Sequence, residues 1–390
     1  MSNVLISWEK GKGLGHISRI LSIAKRLKEL NCGVILSIPK EHMNDKNLLA
    51  SSLRLVVIID DIPNAKGGHD ILSFASMLYF FGVGDKSFLL KAVLNYRNFL
   101  VSNQVSSVLL DYSPVAQLAC YIFGFKAVQI TDGFCCAPTN FPMFLGVQNT
   151  AENSNKNKQT IDVLNNNINE LGKTLKGNET YNLPDYVNYT IKYYDTIPEL
   201  DCYNQCTARN SLGPLVGVSQ AKEIVFRNSV SDLKVFCYLR QCVPEGLSIL
   251  RYLKNENIQT VCVYPDAINS LSEFDDSSVV TTTDLVDITK LLEQCTHVIS
   301  YGATGTLSNA VLKGKPQLII VADTQKQMVA AKAIEIGVAV GYEINQAMNT
   351  QLDKFLNNQG MMHQAKMMSM RYANHDFSKT FNSLINELTT

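Results

Sequence analysis

Charge is scarce in this sequence and favours neither sign. Lysine plus arginine number 35 and aspartate plus glutamate 35, together only 18% of the 390 residues. A protein that grips phosphate backbones carries a basic excess, so nucleic acid is excluded as the expected partner. Disorder is excluded as well, because a hydrophobic fraction of 46% is ample to fill cores. Long apolar runs are missing. None approaches the ~20 residues that cross a bilayer, so no transmembrane segment is expected. Lys10, Lys12, Arg19, Lys25, Arg26 and Lys28 leave no space for the apolar stretch of a secretory leader, and a cytoplasmic protein is expected. A paired CxxC framework is also absent. Ten scattered cysteines point to reduced thiols rather than a disulfide scaffold, which makes the Asn178 and Asn188 sequons chance matches. Neither Cys135 with Cys136 nor Cys202 with Cys206 has partners at zinc spacing, so no metal site is expected.

What the sequence does have is alternation. At roughly 100 to 200 residues per domain, the length allows two or three domains. Asn3 to Trp8 is a β-branched run, and the next segment sets Ile17, Ile20, Leu21, Ala24, Leu27 and Leu30 on one helical face. Buried-strand patterns recur at Gly33 to Ile38, Leu55 to Ile59, Ser107 to Leu110 and Ala127 to Ile130, with helix-length segments at Ser87 to Leu100 and Val115 to Phe123. This is the pattern of a doubly wound parallel sheet. It lapses over about 150–185, where an Asn- and Lys-rich stretch with a weak helical period is expected to be a polar, exposed helical insertion. It restarts at Lys234 to Leu239 and continues through Thr260 to Val263, Val279 to Thr281, His297 to Ser300 and Gln317 to Val321. Two α/β halves joined near 205–230 are expected, with ligands at the carboxyl ends of the strands.

Two glycine-rich turns occupy such ends. The first strand runs into Gly11-Lys12-Gly13-Leu14-Gly15-His16 and then a helix; its spacing misses the G-x-G-x-x-G of dinucleotide binders, which disfavours NAD. His16 at a helix start is placed to act as a general base if a partner fixes its tautomer, and Asp111, closing the strand before Tyr112, is the candidate. The alternatives are a packing role for His16 and an N-cap role for Asp111. In the second half, Ser300-Tyr301-Gly302-Ala303-Thr304-Gly305-Thr306 opens a helix. Its small residues free backbone N–H groups for a diphosphate, and no Gly-Lys-Ser/Thr ends it, so it is not a P-loop. Arg240, just after the first strand of this half, is either a source of positive charge for the diphosphate or a surface residue. Gln327, beyond Asp323, offers an amide to sugar hydroxyls or is simply part of a solvated helix start. The apolar, aromatic segment Asp70 to Leu100 packs in the core, lines an acceptor pocket or forms a lipid-facing edge, and core packing is the commoner role of such stripes.

Both turns, in this order, resemble those of the GT-B glycosyltransferases, and in particular the bacterial macrolide and UDP-glucuronosyl-type enzymes of families 1 and 28. Trp8 to Arg19 is similar to the family's Gly-rich opening, Leu110 to Pro114 and Thr131 to Phe134 to its middle strands, and Pro198 to Asp201 with Leu212 to Pro214 to the end of its acceptor domain. Ser300 to Pro316 resembles its donor signature, H-G-G-x-G-T-x-x-E-A-x-x-x-G-x-P. The resemblance implies two Rossmann-like doubly wound domains facing across a cleft. An acceptor domain would span 1–210, a donor domain 211–368, and a helix over 369–390 would cross back to the first. It implies an inverting, metal-independent transfer from a UDP- or TDP-sugar to a hydroxyl acceptor, with the nucleotide sugar as co-substrate and no cofactor. The acceptor stays open between a small molecule, a glycan and a lipid-linked hydroxyl.

By the same resemblance His16 is the base and Asp111 orients it, Gly13, Leu14 and Gly15 form the acceptor-side loop, and Tyr301 to Thr306, Asn309 and Gln327 hold the donor, with Arg240 counted beside them for its charge. Three positions depart from the family. Tyr301 replaces a phosphate-binding His, Asn309 a ribose-binding Glu, and Lys326 the acid before Gln327. Two alternatives follow: a degenerate protein that binds a nucleotide sugar or partner without turnover, and a sugar-nucleotide epimerase of the same fold.

Overall fold

The computed structural model describes residues 3–11, 14–60, 62, 70–177, 179–215, 224–228, 231–267, 271–284 and 286–390. Gly13, Asn178 and part of the expected linker lie outside them. The chain divides into two compact units, one of Met1–Asp195, Gln205–Gly217 and Phe377–Thr390, the other of Thr196–Asn204 and Val218–Asp376.

In the first unit β1 (Asn3–Trp8) leads to α1 (Leu14–Glu29), β2 (Gly33–Ser37), the short α2 (Lys46–Ala50) and β3 (Arg54–Val56). Then come α3 (Phe74–Leu78), α4 (Lys86–Ser102), β4 (Val105–Asp111), α5 (Pro114–Phe123) and β5 (Ala127–Thr131). The long α6 (Ala151–Lys176), α7 (Leu183–Asn188) and β6 (Ile191–Tyr194) follow. The second unit holds β7 (Lys234–Tyr238), α8 (Gly246–Asn255), β8 (Gln259–Val263), β9 (Val279–Thr282), α9 (Ile288–Gln294) and β10 (His297–Ser300). It continues with α10 (Thr304–Leu312), β11 (Gln317–Ile319), α11 (Thr324–Glu335), β12 (Ala339–Gly341), α12 (Met348–Leu356) and α13 (Gln359–Arg371). The last helix, α14 (Phe377–Thr389), belongs to the first unit. It inserts Leu384, Ile385 and Leu388 among Val4, Ile17 and Ile20, and the hydroxyl of Ser107 donates to the Leu388 carbonyl at 2.6 Å.

Each unit carries a six-stranded sheet, ordered β3-β2-β1-β4-β5-β6 and β9-β8-β7-β10-β11-β12, and every pairing between these strands is parallel. The two orders are the same. In both, the direction of winding reverses between the unit's first and fourth strands, and the crevice at that reversal is where open α/β sheets take ligands. The register sets Trp8 beside Asp111 in one unit and Tyr238 beside Ser300 in the other.

Three expectations need correction. The insertion is helical, as α6, but it is not simply exposed. It buries Leu164, Ile168 and Leu171 together with Asn157 and Asn167, because each of those amides finds a backbone carbonyl: Asn157 donates to Phe141, and Asn167 to Val83 and Gly84. The strand expected over Leu55 to Ile59 is confined to β3. Two edge strands, β6 and β12, are present where none was expected. The apolar segment near 70–100 is largely core, with Phe74, Leu78, Leu89, Val93 and Tyr96 buried.

Candidate active site

Asp45, Asp85 and Asp287 cap their helices by accepting first-turn N–H groups. The two helices at the reversal points behave otherwise. In the first unit α5 takes its cap from a distance: the Glu9 carboxylate, at the end of β1, accepts the N–H groups of Val115 at 3.0 Å and Ala116 at 2.7 Å. Burial pushes Glu9 up to about 7 even so. This contact ties the end of β1 to the turn after β4 and so fixes the two segments that carry His16 and Asp111.

His16 stands in the first turn of α1, stacked on Trp8 with ring centroids 5.1 Å apart. Its Nδ1 lies 3.0 and 3.1 Å from the two oxygens of Asp111, which is 1% exposed. Capping is not the role of Asp111, since Ser113 is the N-cap residue of α5. Burial works against an ionised Asp111, yet Arg19 and His16 beside it hold its carboxyl below the usual range. The opposite ring nitrogen faces the glycine turn. A Cβ on Gly11 would lie 2.3 Å from His16 Nε2, and Gly11 has φ +102°, so only glycine fits here without strain. Gly15 has open space around it; Gly13 and the side chain of Leu14 lie outside the described residues.

Beneath His16 is a layer not anticipated from sequence. Arg19, one helical turn on, sets Nε 3.2 Å from Asp111 Oδ2 and Nη1 2.9 Å from Asp195 Oδ2, and its Nη2 is 3.0 Å from His16 Nδ1. Burial pushes Asp195 up to about 7, with Asp132 and Asp111 adding repulsion against the pull of Arg19. Arg19 and Asp132 were visible as parts of motifs. Asp195 follows an unexpected strand and gave no sequence signal. Nearby, Phe74 and Leu78 from the apolar segment line a small cavity with Tyr112, Gln129, Cys135 and Lys192.

In the second unit the reversal point carries a backbone turn, with the charged pairs Arg240–Asp266 and Lys326–Asp323 near it. Gly302, with φ +90°, turns the chain from β10 into α10; a Cβ there would meet Lys326 Cβ at 3.1 Å and Ile319 Cγ2 at 3.2 Å. Ala303 occupies the N-cap of α10 and supplies no side-chain cap, so the first-turn N–H groups from Thr304 to Thr306 have no intrahelical acceptor. Gly305 is exposed with nothing near its Cα hydrogens, while Thr304 and Thr306 are buried. Asn309 is also buried and donates to the Gly305 carbonyl at 2.8 Å. Tyr301 packs edge-on against Tyr238 at 5.2 Å, and burial pushes its phenol up, which keeps it a hydrogen-bond donor. Arg240 is half-buried and anchored by Asp266 at 2.8 Å. Lys326 pairs with Asp323 at 2.9 Å, and Gln327, next along α11, is exposed. Among the described residues no three His, Cys, Asp or Glu side chains form a group that would hold a metal ion, and no helix is long and apolar enough to cross a membrane.

Solved structures match nearly the whole chain. The glycosyltransferase of kitacinnamycin superimposes with a TM-score of 0.70 at 10% identity, over 99% of this chain and 98% of its own. The glycosyltransferase VinC in complex with dTDP gives 0.68 at 15% identity, over 99% of both chains. The Streptomyces sp. SF2575 glycosyltransferase SsfS6, complexed with thymidine diphosphate, gives 0.66 at 12% identity, over 99% of this chain and 100% of its own. The fold is GT-B. No protein-family model and no curated protein sequence matches the chain. At such low identities the likeness is one of architecture, and the chemistry has to be argued from the residues.

Proposed function

We propose that this GT-B chain is an inverting, metal-independent glycosyltransferase that moves a sugar from a nucleoside-diphosphate sugar to a hydroxyl acceptor. The observation that carries this is the orientation of His16, with Nδ1 on both oxygens of a buried Asp111 and Nε2 turned to the glycine turn. Asp111 accepts a hydrogen bond from Nδ1–H, which leaves a lone pair on Nε2 for the acceptor hydroxyl. As that hydroxyl passes its proton to Nε2, its oxygen attacks the anomeric carbon from the face opposite the leaving group. The bond from that carbon to the diphosphate oxygen breaks, the electron pair leaves with the diphosphate, and the configuration inverts. Asp111 offsets the positive charge formed on the imidazole.

The departing diphosphate needs N–H donors and positive potential. The start of α10, whose N-cap residue Ala303 makes no side-chain cap, would supply both, since a helix N-terminus carries about half a positive charge. Arg240 and Tyr301, which interact electrostatically in the same unit, would add charge and a hydroxyl. These groups take the part a metal plays elsewhere. Asn309 retains an amide oxygen for a ribose hydroxyl, and Gln327 is the amide assigned to the sugar. That VinC and SsfS6 hold thymidine diphosphate supports a pyrimidine nucleotide as the donor carrier.

The test is thermal stabilisation by UDP, TDP, GDP and their sugars, since a ligand of the native state at about 100 times its Kd contributes about 2.7 kcal/mol. A rise in Tm with one nucleotide family is expected; no rise with any of them would contradict the proposal. Binding without turnover is a second reading, favoured by the Asn309 amide bonding within its own helix. Hydrolysis of a nucleotide sugar that is lost in His16→Ala would exclude it.

A further inference from the structure

His16 Nδ1 is approached by groups of opposite character. The Asp111 oxygens, at 3.0 and 3.1 Å, only accept hydrogen bonds, whereas Arg19 Nη2, at 3.0 Å, only donates. One nitrogen cannot answer both. With its proton on Nδ1 the ring donates to Asp111 and leaves Nε2 as a base; with Nδ1 bare it accepts from Arg19, and the proton on Nε2 disables it. The outcome depends on where the guanidinium is held. Asp195 holds it from the far side through Nη1 at 2.9 Å, while Nε rests against Asp111 Oδ2 at 3.2 Å. Asp132 and Cys135 add their fields to the same cluster, and His42 stacks on Trp8 at 4.4 Å. Such a buried ionic layer is costly to assemble, and a second carboxylate on Arg19 is superfluous if Asp111 alone needed a partner.

We propose that Arg19 and Asp195 are positioning residues that select the tautomer of His16: Asp195 restrains the guanidinium, so Asp111 rather than Arg19 claims Nδ1. The inference rests on His16 being the base proposed above. Asp195→Asn keeps the shape of the side chain but weakens its hold on Arg19. The Nη2 donor then competes for Nδ1 and the Nε2–H tautomer grows. Replacing arginine by lysine removes the fork that reaches two partners at once, so Arg19→Lys added to Asp195→Asn returns the proton to Nδ1.

Nitrogen-15 NMR of the histidine side chains in the ligand-free full chain tests this at a pH above 7, where Asp195 is ionised, with His16→Gln assigning the resonance. The wild type is expected to show Nδ1–H, Asp195→Asn a shift toward Nε2–H, and the double variant a return. With a nucleotide sugar that supports turnover, kcat should fall about tenfold to a hundredfold in Asp195→Asn, with donor KM unchanged and partial recovery in the double variant. An Nε2–H tautomer in the wild type, or no change in Asp195→Asn, would overturn the inference. Should Asp195→Asn not fold, Arg19→Lys alone has to keep Nδ1–H, and its loss there would overturn it equally. The NMR arm needs no activity, so the tautomer control can stand even if every nucleotide sugar fails as substrate, which would defeat only the transferase assignment.

Discussion

The two units have one topology and opposite chemistry at the same place in it. Where the winding of the first sheet reverses, the sequence puts side-chain charge: His16, Asp111, Arg19 and Asp195 interlock within 3.2 Å. Where the second reverses, it puts a backbone turn, with Gly302 at positive φ and an N-cap residue of α10, Ala303, that supplies no side-chain cap. A proton-transfer site needs fixed ionisable groups, and a diphosphate site needs close approach to N–H groups. Under the proposed function one fold would serve both by changing what stands at the strand ends.

The largest expected effect strikes the first site alone. Gly11→Ala puts a methyl group on the imidazole edge, where the Cβ would fall 2.3 Å from Nε2. Turnover should fall about a thousandfold, or about 4 kcal/mol of transition-state stabilisation, while nucleotide-induced thermal shifts stay as in the wild type. An equal loss of nucleotide binding would break the division between the units.

Acid and base should separate the units next. His297 is fully buried in the second unit, and burial pushes it down to about 4. The unfolded chain takes up that proton near 6.5, so stability is lost as pH falls from about 6.5 to 4, by about 3 kcal/mol. Burial pushes Asp195 and Glu9 of the first unit up to about 7. Their folded forms hold protons that the unfolded chain releases near 4, so that unit is weakened as pH rises from about 4 to 7. Trp8, the only tryptophan, reports the first unit by fluorescence, whereas circular dichroism reports both. Melting temperatures from the two signals should diverge in opposite directions across this range, and His297→Gln should flatten the acid-side loss seen by dichroism.

Gly302→Ala sharpens the donor side. The backbone there sits at φ +90° with neighbours 3.1 to 3.2 Å from a Cβ, so about 2 kcal/mol of strain is expected. Nucleotide affinity, measured by calorimetry, should weaken about tenfold, with the His16 tautomer untouched.

The smallest effect belongs to α6. Asn157→Ala strips the Phe141 carbonyl and the Ser73 hydroxyl of their partner, which should cost about 1 to 2 kcal/mol in chemical denaturation. The change should appear in the Trp8 signal, with nucleotide binding by the second unit unchanged.

The contrast between the units also explains what sequence made legible. His16, Asp111 and the turn at Gly302 stand out because glycine, histidine and aspartate at strand ends have few other reasons to be there. Arg19 is in plain view, but its partner Asp195 lies far along the chain and is brought in by β6. That four-residue strand, Ile191–Tyr194, is too short and too tyrosine-rich to show a buried-strand pattern. Gly11 matters through one contact to Nε2, which the spacing of the glycines does not announce. In α6 the asparagines looked like a solvent-facing surface; their burial depends on carbonyls at Phe141, Val83 and Gly84 that only the folded chain presents. β12, at three residues, has no pattern to detect.

The most direct test of the account is nucleotide release from the stabilising nucleotide sugar by the wild type and by His16→Ala, both saturated with donor. Slow release by the wild type, lost in the variant with donor binding intact, is the result expected. Equal release from both, or binding with no release in either, would contradict the assignment of His16 as the base.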